Sequence, residues 1–189
     1  SSKDRAEKAD VQEGLVAAIN RAINYAHRRG ATIVVAAGNS AANMLGAGDI
    51  YFAFCGSTQV ICVSGLGPTA AGGVNGPWTN VDAPAPYTNF GQNVIDVAGP
   101  GGRGGLMGNG GLVWAACSKT WLIVSGGQLF HSTCSANPGS NFILGSAGTS
   151  MAAPHAAGLA ALLVERYGRN PAAIRNHLRN TADRVPGSR

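Results

Sequence analysis

The chain has 189 residues, enough for one domain with a core of its own. Only 12% of the residues are charged and 28 are Gly, a composition typical of a loop-rich globular fold rather than a disordered segment. The net charge of +5 comes from scattered Arg residues without interleaved aromatic residues, which argues against a nucleic-acid partner, and no apolar run approaches the ~20 residues of a membrane span.

The first half of the chain alternates helical and strand-like segments. Asp10 and Glu13 are spaced as a helix N-cap and its partner, and apolar residues then recur at helical spacing as far as Gly30. This pattern predicts a helix near residues 11–29. Continuously apolar segments indicate strands buried on both faces of a parallel sheet. They lie at Thr32–Ala37, Gln59–Ser64 and Val94–Ala98.

The second half of the chain begins with loops and ends with helices. Its predicted elements are a Gly-rich loop at 99–111, two short strands at 112–124 around Cys117, a loop-rich stretch at 125–146, and helices from Thr149 to about Tyr167 and from about Pro171 to Thr181. The many Ala residues of the first of these helices predict that it is deeply buried. The alternation of strands and helices favours an α/β sandwich.

The four Cys residues fall into two local pairs, Cys55 with Cys62 and Cys117 with Cys134. Four Cys residues allow three connectivities, and the sequence does not choose among them, although we expect nearest neighbours to pair. Zinc is the competing interpretation, but neither pair has C-x-x-C spacing or a His at ligand spacing. Disulfides would indicate an exported protein, secreted to the extracellular space.

Ser150 lies where a loop of small residues meets the start of a predicted buried helix. Free backbone N–H groups and the positive end of the helix dipole stabilise negative charge on oxygen at such a place. The alternative is that Ser150 only caps the helix, as Ser commonly does.

A run of eight residues favours the first interpretation. Residues 148–155 read Gly-Thr-Ser-Met-Ala-Ala-Pro-His and match, position for position, the nucleophile motif of the subtilisin-like serine proteases, peptidase family S8. The segment ending in Ala36-Ala37-Gly38-Asn39 resembles the family's strand that ends at its oxyanion Asn. Residues 86–91 and 94–101 are similar to two further segments of the family, in the same chain order.

The resemblance implies roles for several of these residues. Ser150 would be the nucleophile of a serine endopeptidase acting on a protein or peptide substrate, and Asn39 would donate to the oxyanion. Substrate-binding positions would be Ala36, Ala37 and Gly38, which resemble the wall of the S1 pocket, together with Thr149. His155 would be a buried structural His rather than the catalytic base. The implied fold is a three-layer α/β sandwich with a mostly parallel sheet.

The family's Asp and His signatures are absent from all 189 residues. In subtilisins the triad runs Asp, His, Ser along the chain, so both residues are expected upstream. We therefore expect residues 1–189 to be a single domain, the C-terminal part of a catalytic domain truncated at both ends, with the missing N-terminal part as its partner. The alternative is a non-catalytic fragment or pseudo-protease that binds peptides or has a structural role.

Two further expectations concern loops and ligands. Residues 101–147 are longer than the family's usual connection, and loops near a nucleophile often set specificity. No cofactor is indicated by the residues themselves. The resemblance allows calcium, which the family binds mostly through loops that are not among these residues.

Overall fold

The computed structural model describes residues 2–45, 54–116, 122–125, 128–131 and 143–185. In chain order the elements are α1 (Ser2–Arg28), β1 (Ile33–Ala36), β2 (Val60–Leu66), β3 (Ala70–Ala71), β4 (Trp78–Thr79), β5 (Val97–Pro100), a 3₁₀ segment (Gly105–Gly111), β6 (Val113–Ala116), β7 (Leu122–Ser125), β8 (Gln128–His131), β9 (Ile143–Ser146), α2 (Thr149–Tyr167) and α3 (Pro171–Thr181).

A three-stranded parallel sheet in the order β1–β2–β5 forms the centre of the described structure. All seven residues of the middle strand β2 are buried. Ile61 and Val63 pack against helices α2 and α3, whereas Cys62 belongs to a separate cluster with Ala37 and Met44. The sheet is thus covered on both faces, which confirms the predicted α/β class with a parallel sheet.

Helix α2 packs along the sheet through a stripe of small residues, Ala152, Ala156 and Ala160, all of which are buried. Small side chains allow the helix backbone to approach the strands closely. The opposite face of α2 is exposed and apolar, and the side chain of Leu162 is 71% exposed. The prediction of a deeply buried helix is therefore wrong for that face, because in the described part of the chain the packed residues lie on the side of the stripe, where Ala153, Leu163 and Tyr167 also join the core.

Helix α3 is held against the sheet by apolar and ionic contacts. Ile174 and Leu178 are buried in the cluster that α2 and β2 share. The Asp96 carboxylate, whose side chain is 2% exposed, lies 2.7 Å from Arg175 and 3.3 Å from Arg179 on α3. The same carboxylate accepts the backbone N–H of Cys62 at 2.9 Å, so Asp96 links α3 to the central strand.

Two predicted boundaries differ from the structure. Helix α1 begins at Ser2 rather than near residue 11, because residues 3–10 contain good helix formers with opposite charges at i, i+4 spacing. Strand β5 begins at Val97 rather than Val94. The N–H groups of Val94 and Ile95 both donate to the Gly91 carbonyl, which holds these residues in a turn.

The second half contains more strands than predicted. β6 lies within the predicted strand region at 112–124 and β7 ends one residue beyond it; β6 pairs antiparallel with β9, and β7 with β8. Both β8 and β9 lie in the stretch predicted to be loop-rich. For β7 and β8 the sequence does carry a signal. The dipeptide Gly126-Gly127 stands between them, and such dipeptides are typical of two-residue hairpin loops.

Cys55 and Cys62 form a disulfide with a Cα–Cα distance of 5.3 Å, the pairing expected between nearest neighbours. Cys117 and Cys134 lie outside the described residues, so their pairing stays a prediction. None of the helices in the described ranges combines the length and apolarity needed to cross a membrane.

Candidate functional site

The candidate site lies at the carboxyl end of strand β1, where Gly38 and Asn39 follow the strand, and at the first turn of α2. The carboxyl ends of parallel strands are where α/β folds usually bind ligands. Gly38 and Asn39 are about 110 residues from Thr149 and Ser150 along the chain, and the structure brings the two segments into contact.

Three hydrogen bonds join Asn39 and Gly38 to Thr149. The backbone N–H of Thr149 donates to Asn39 Oδ1 at 2.9 Å, and the Thr149 hydroxyl donates to the same oxygen at 2.9 Å. The hydroxyl oxygen in turn accepts the backbone N–H of Gly38 at 3.0 Å. Thr149 is fully buried, so these bonds form in a water-poor place.

This arrangement determines which way the Asn39 amide points. The Thr149 N–H can only donate, so the atom facing it has to be the amide oxygen. The other end of the amide, Nδ2, lies beside Gly148, where an added Cβ would come within 3.2 Å of it. No acceptor among the described residues takes a hydrogen bond from Nδ2, so both of its N–H groups are available to a ligand.

Ser150 is the second residue of α2 and its side chain is exposed. A backbone N–H in the first turn of a helix has no intrahelical acceptor, and within the described ranges the N–H of Ser150 has none elsewhere. The site therefore presents a free hydroxyl, a free backbone N–H and a free side-chain amide at the positive end of a 19-residue helix.

The backbone of Ala37 and Gly38 has no polar group left for a ligand. Their N–H groups donate to Val63 O and Thr149 Oγ1, and their carbonyls accept from Asn89 Nδ2 and the Asn89 backbone N–H. With Ala36 at the end of β1, this segment offers a ligand an apolar surface rather than hydrogen bonds.

Asn89 is a site residue to which the sequence analysis gave no role. Residues 86–91, which include Asn89, carried part of the family resemblance. Nothing in the residue type, however, indicated that Asn89 contacts residues 37–42, the loop that contains Asn39. Its side chain is buried and bonds to the loop on both sides of Asn39. The available signal was only a polar residue between Thr88 and Phe90, a pattern too common to identify a site.

The histidines differ in part from the prediction. His155 is exposed rather than buried, and its Nδ1 bonds to the Met151 carbonyl one helical turn back, at 2.8 Å. His177 Nδ1 bonds to the Tyr167 hydroxyl, and His27 lines a cleft at the amino ends of β1 and β2, away from Ser150. In the described residues no group of three or more His, Cys, Asp or Glu side chains gathers as a metal site, so calcium stays a prediction.

Comparison with known proteins gives a consistent result. The sequence model of the Subtilase family, Peptidase_S8, matches residues 2–189. An "Extracellular protease" of Xanthomonas campestris pv. campestris is 33% identical over 172 residues, which cover 90% of this chain and 23% of that protein.

Solved structures of similar fold agree with the sequence match. A protease from Pseudoalteromonas arctica is 28% identical with a TM-score of 0.59, covering 89% of this chain and 40% of that one. A lanthipeptide protease is 22% identical with a TM-score of 0.64, covering 93% of this chain and 50% of that one; at this identity it supports the fold alone. The chain thus spans half or less of the length of each of these relatives.

Proposed function

Because this chain belongs to the subtilase family of serine proteases, we propose that it supplies the nucleophile and the oxyanion hole of a serine endopeptidase. Ser150 is the nucleophile. Asn39 Nδ2 and the Ser150 backbone N–H are the two oxyanion donors. The observation that carries the proposal is the bonding of Asn39 Oδ1 to Thr149, because it leaves Nδ2 as a free donor beside Gly148, two residues before Ser150.

The reaction follows from the roles of these groups. Ser150 Oγ attacks the carbonyl carbon of the peptide bond while its proton passes to a His base, and the carbonyl oxygen becomes an oxyanion. Two fixed N–H donors stabilise that oxyanion without reorganising, and the α2 dipole adds to the effect. The base then protonates the leaving amine, and water hydrolyses the acyl-enzyme on Ser150.

The substrate is a protein or peptide whose P1 side chain lies along Ala36, Ala37 and Gly38. Since the backbone polar groups of Ala37 and Gly38 are bonded internally, this wall contributes apolar contact to the P1 side chain. Thr149 acts on the substrate indirectly, through Asn39. The protein acts outside the cell, a location supported by the Cys55–Cys62 disulfide and by the extracellular relative.

The Asp and His of the triad come from outside these 189 residues, from the N-terminal part of the same catalytic domain. His155 lies five residues past Ser150 on the same helix, about 140° around the helix axis from it. His177 lies on α3 against Tyr167, and His27 lies at the opposite end of the sheet. The side chain of His131, the fourth His of the chain, lies outside the described residues. The open edge of β1 and the exposed apolar face of α2 offer surfaces on which that part can pack.

A fluorophosphonate probe labels only activated serines. It therefore tests whether Ser150 depends on an Asp and a His that lie outside these 189 residues. We expect the complete protein to be labelled rapidly, with labelling abolished by Ser150→Ala. The 189-residue chain alone, with its helix and strand content checked by circular dichroism, is expected to remain unlabelled, since Ser150 without a base is a poor nucleophile. Rapid labelling of the folded chain alone would place the base within it. A complete protein that is not labelled at Ser150 would support the pseudo-protease alternative.

A second test concerns the oxyanion donor. In the complete protein, Asn39→Ala is expected to lower kcat by about 10²–10³-fold with little change in KM, the loss known for the corresponding donor of subtilisin. Steady-state kinetics on a peptide substrate measure both constants. Asn180→Ala, an exposed Asn of α3, is the matched control and should leave both unchanged. A kcat for Asn39→Ala within threefold of wild type would remove Asn39 from the oxyanion hole.

A further inference from the structure

Asn89 is a buried polar residue, and each of its side-chain polar atoms has a hydrogen-bond partner. The residue is 1% exposed and lies in an irregular segment between β4 and β5. A buried amide without partners is costly, so an amide bonded through both of its polar atoms favours one arrangement of the backbone around it. The groups that it bonds therefore show what Asn89 holds in place.

The partners of Asn89 lie immediately before and after Asn39 in the chain. Asn89 Nδ2 donates to the Ala37 carbonyl at 2.8 Å, and its backbone N–H donates to the Gly38 carbonyl at 3.0 Å. Its Oδ1 accepts the backbone N–H groups of Ser40 and Ala42, each at 3.0 Å. Four bonds thus hold the loop at residues 37–42, while Asn39, at its centre, bonds to Thr149 instead.

Gly38 shows how closely the loop fits around Asn89. Its φ of +101° is in the region that favours glycine, and an added Cβ would lie 2.6 Å from Asn89 Nδ2. Any side chain at position 38 would displace the amide. Because Gly38 has no side chain, it leaves room for the Asn89 amide as well as for a P1 side chain of the substrate.

Asn89 and its neighbour Thr88 are also hydrogen-bonded to strand β2. The Ser64 hydroxyl donates to the Asn89 carbonyl at 2.8 Å, and Thr88 Oγ1 accepts the Gly65 N–H at 2.8 Å. These bonds fasten the segment to the carboxyl end of β2, a fully buried strand. Asn89 therefore connects the loop at residues 37–42 to the sheet by hydrogen bonds.

The preceding residue Tyr87 connects the same segment to the other half of the site. Its hydroxyl lies 2.8 Å from the carbonyls of both Gly101 and Gly102 and donates its one hydrogen to this pair of acceptors, and the Gly101 carbonyl also accepts the Gly148 N–H. Burial raises the pKa of the Tyr87 phenol, against a smaller opposing effect of the Gly148 backbone, so the phenol remains a donor at neutral pH. Residues 87–89 thus contact both the loop at residues 37–42 and Gly101, whose carbonyl bonds to Gly148 just before α2.

We propose that Asn89 is a positioning residue that holds Asn39 where its amide reaches the oxyanion, an inference that rests on the function proposed above. Loss of Asn89 frees the loop at residues 37–42 and lets the Asn39 amide move from its place. Misplacement of a catalytic group by about 1 Å can cost about 10²-fold in rate. The effect should appear in kcat and depend on the presence of Asn39.

A double-mutant cycle in the complete protein tests this dependence, with Asn39→Ala, Asn89→Ala and the double variant assayed on one peptide substrate. We expect Asn89→Ala to lower kcat by about 10–10²-fold, with a smaller change in KM. When Asn39 is already Ala, the same change should lower kcat by less than about threefold, because the group that Asn89 positions is gone. An equal loss in both backgrounds would overturn the proposal.

A control variant separates loss of stability from misplacement of Asn39. This variant is Ile174→Ala, which changes a buried residue of α3. This variant should lower the melting temperature while leaving kcat unchanged at temperatures well below it. If Asn89→Ala does not give folded protein, Asn89→Asp keeps the size and the Oδ1 acceptor and enters the same cycle. A normal kcat for the single variant Asn39→Ala would contradict the oxyanion role proposed for Asn39 above, whatever Asn89→Ala does.

Discussion

Replacing Ser150 by Ala in the complete protein is expected to lower kcat for peptide hydrolysis by about 10⁶-fold, while KM stays within a few-fold of wild type. In subtilisin, loss of the nucleophile costs about 2 × 10⁶-fold in kcat, and the remaining acceleration comes from the oxyanion hole and from binding. The Ala methyl group cannot attack, but Asn39, Thr149 and the P1 wall are unchanged. The measurement is steady-state hydrolysis of a chromogenic peptide.

The control for this prediction is Ser57→Ala, which removes a hydroxyl near the amino end of β2 and should leave kcat unchanged. Pretreatment with a fluorophosphonate inactivates traces of wild-type enzyme, which would otherwise dominate a 10⁶-fold reduced rate. A Ser150→Ala variant that keeps more than about 1% of wild-type activity after that treatment would show that another group is the nucleophile.

Replacing Asp96 by Ala should destabilise the protein by about 3 kcal/mol. The change removes a buried carboxylate from between Arg175 and Arg179 and leaves the Cys62 N–H without its acceptor. We place the effect at the low end of the range for buried pairs, because the Arg179 side chain is 39% exposed and can reach water. Urea unfolding of the complete protein, carried out with Ser150→Ala to prevent autolysis, measures the change.

Two variants separate the contributions in that experiment. Asp96→Asn retains an acceptor for Cys62 and loses the charge, so it should be less destabilising than Asp96→Ala. Asp82→Ala removes an exposed carboxylate and should change the free energy of unfolding by less than about 0.5 kcal/mol. If Asp96→Ala were no more destabilising than Asp82→Ala, the ion pair would not stabilise the contact of α3 with the sheet.

The sequence predicted the elements whose pattern is local and missed those that depend on distant partners. Both α2 and α3 begin and end at the predicted residues. Gly148 and Gly168 flank α2, and Pro171 begins α3, so local residue types mark three of these four ends. Strand β5 was displaced by three residues, since the bonds that hold Val94 and Ile95 in a turn leave no signal in hydrophobicity. β8 and β9 were missed because four-residue strands of mixed polarity resemble loops.

The candidate site was predictable only in part, for a related reason. The eight-residue motif at 148–155 gave Ser150 as the candidate nucleophile, and the segment ending at Asn39 gave the candidate oxyanion donor, because both stand in recognisable local runs. The exposed position of His155 and the role of Asn89 depend on what packs against them. The four bonds from Asn89 to residues 37–42 join segments about 50 residues apart, which no local pattern encodes.

The bonds between Asn39 and Thr149 join residues 110 positions apart in the chain. Contacts of such long sequence separation are entropically costly to close and depend on the structure between them. A nascent or partly unfolded chain therefore has Ser150 without the Asn39–Thr149 contact beside it. Any activity that depends on this contact can arise only when the polypeptide has reached its final tertiary structure.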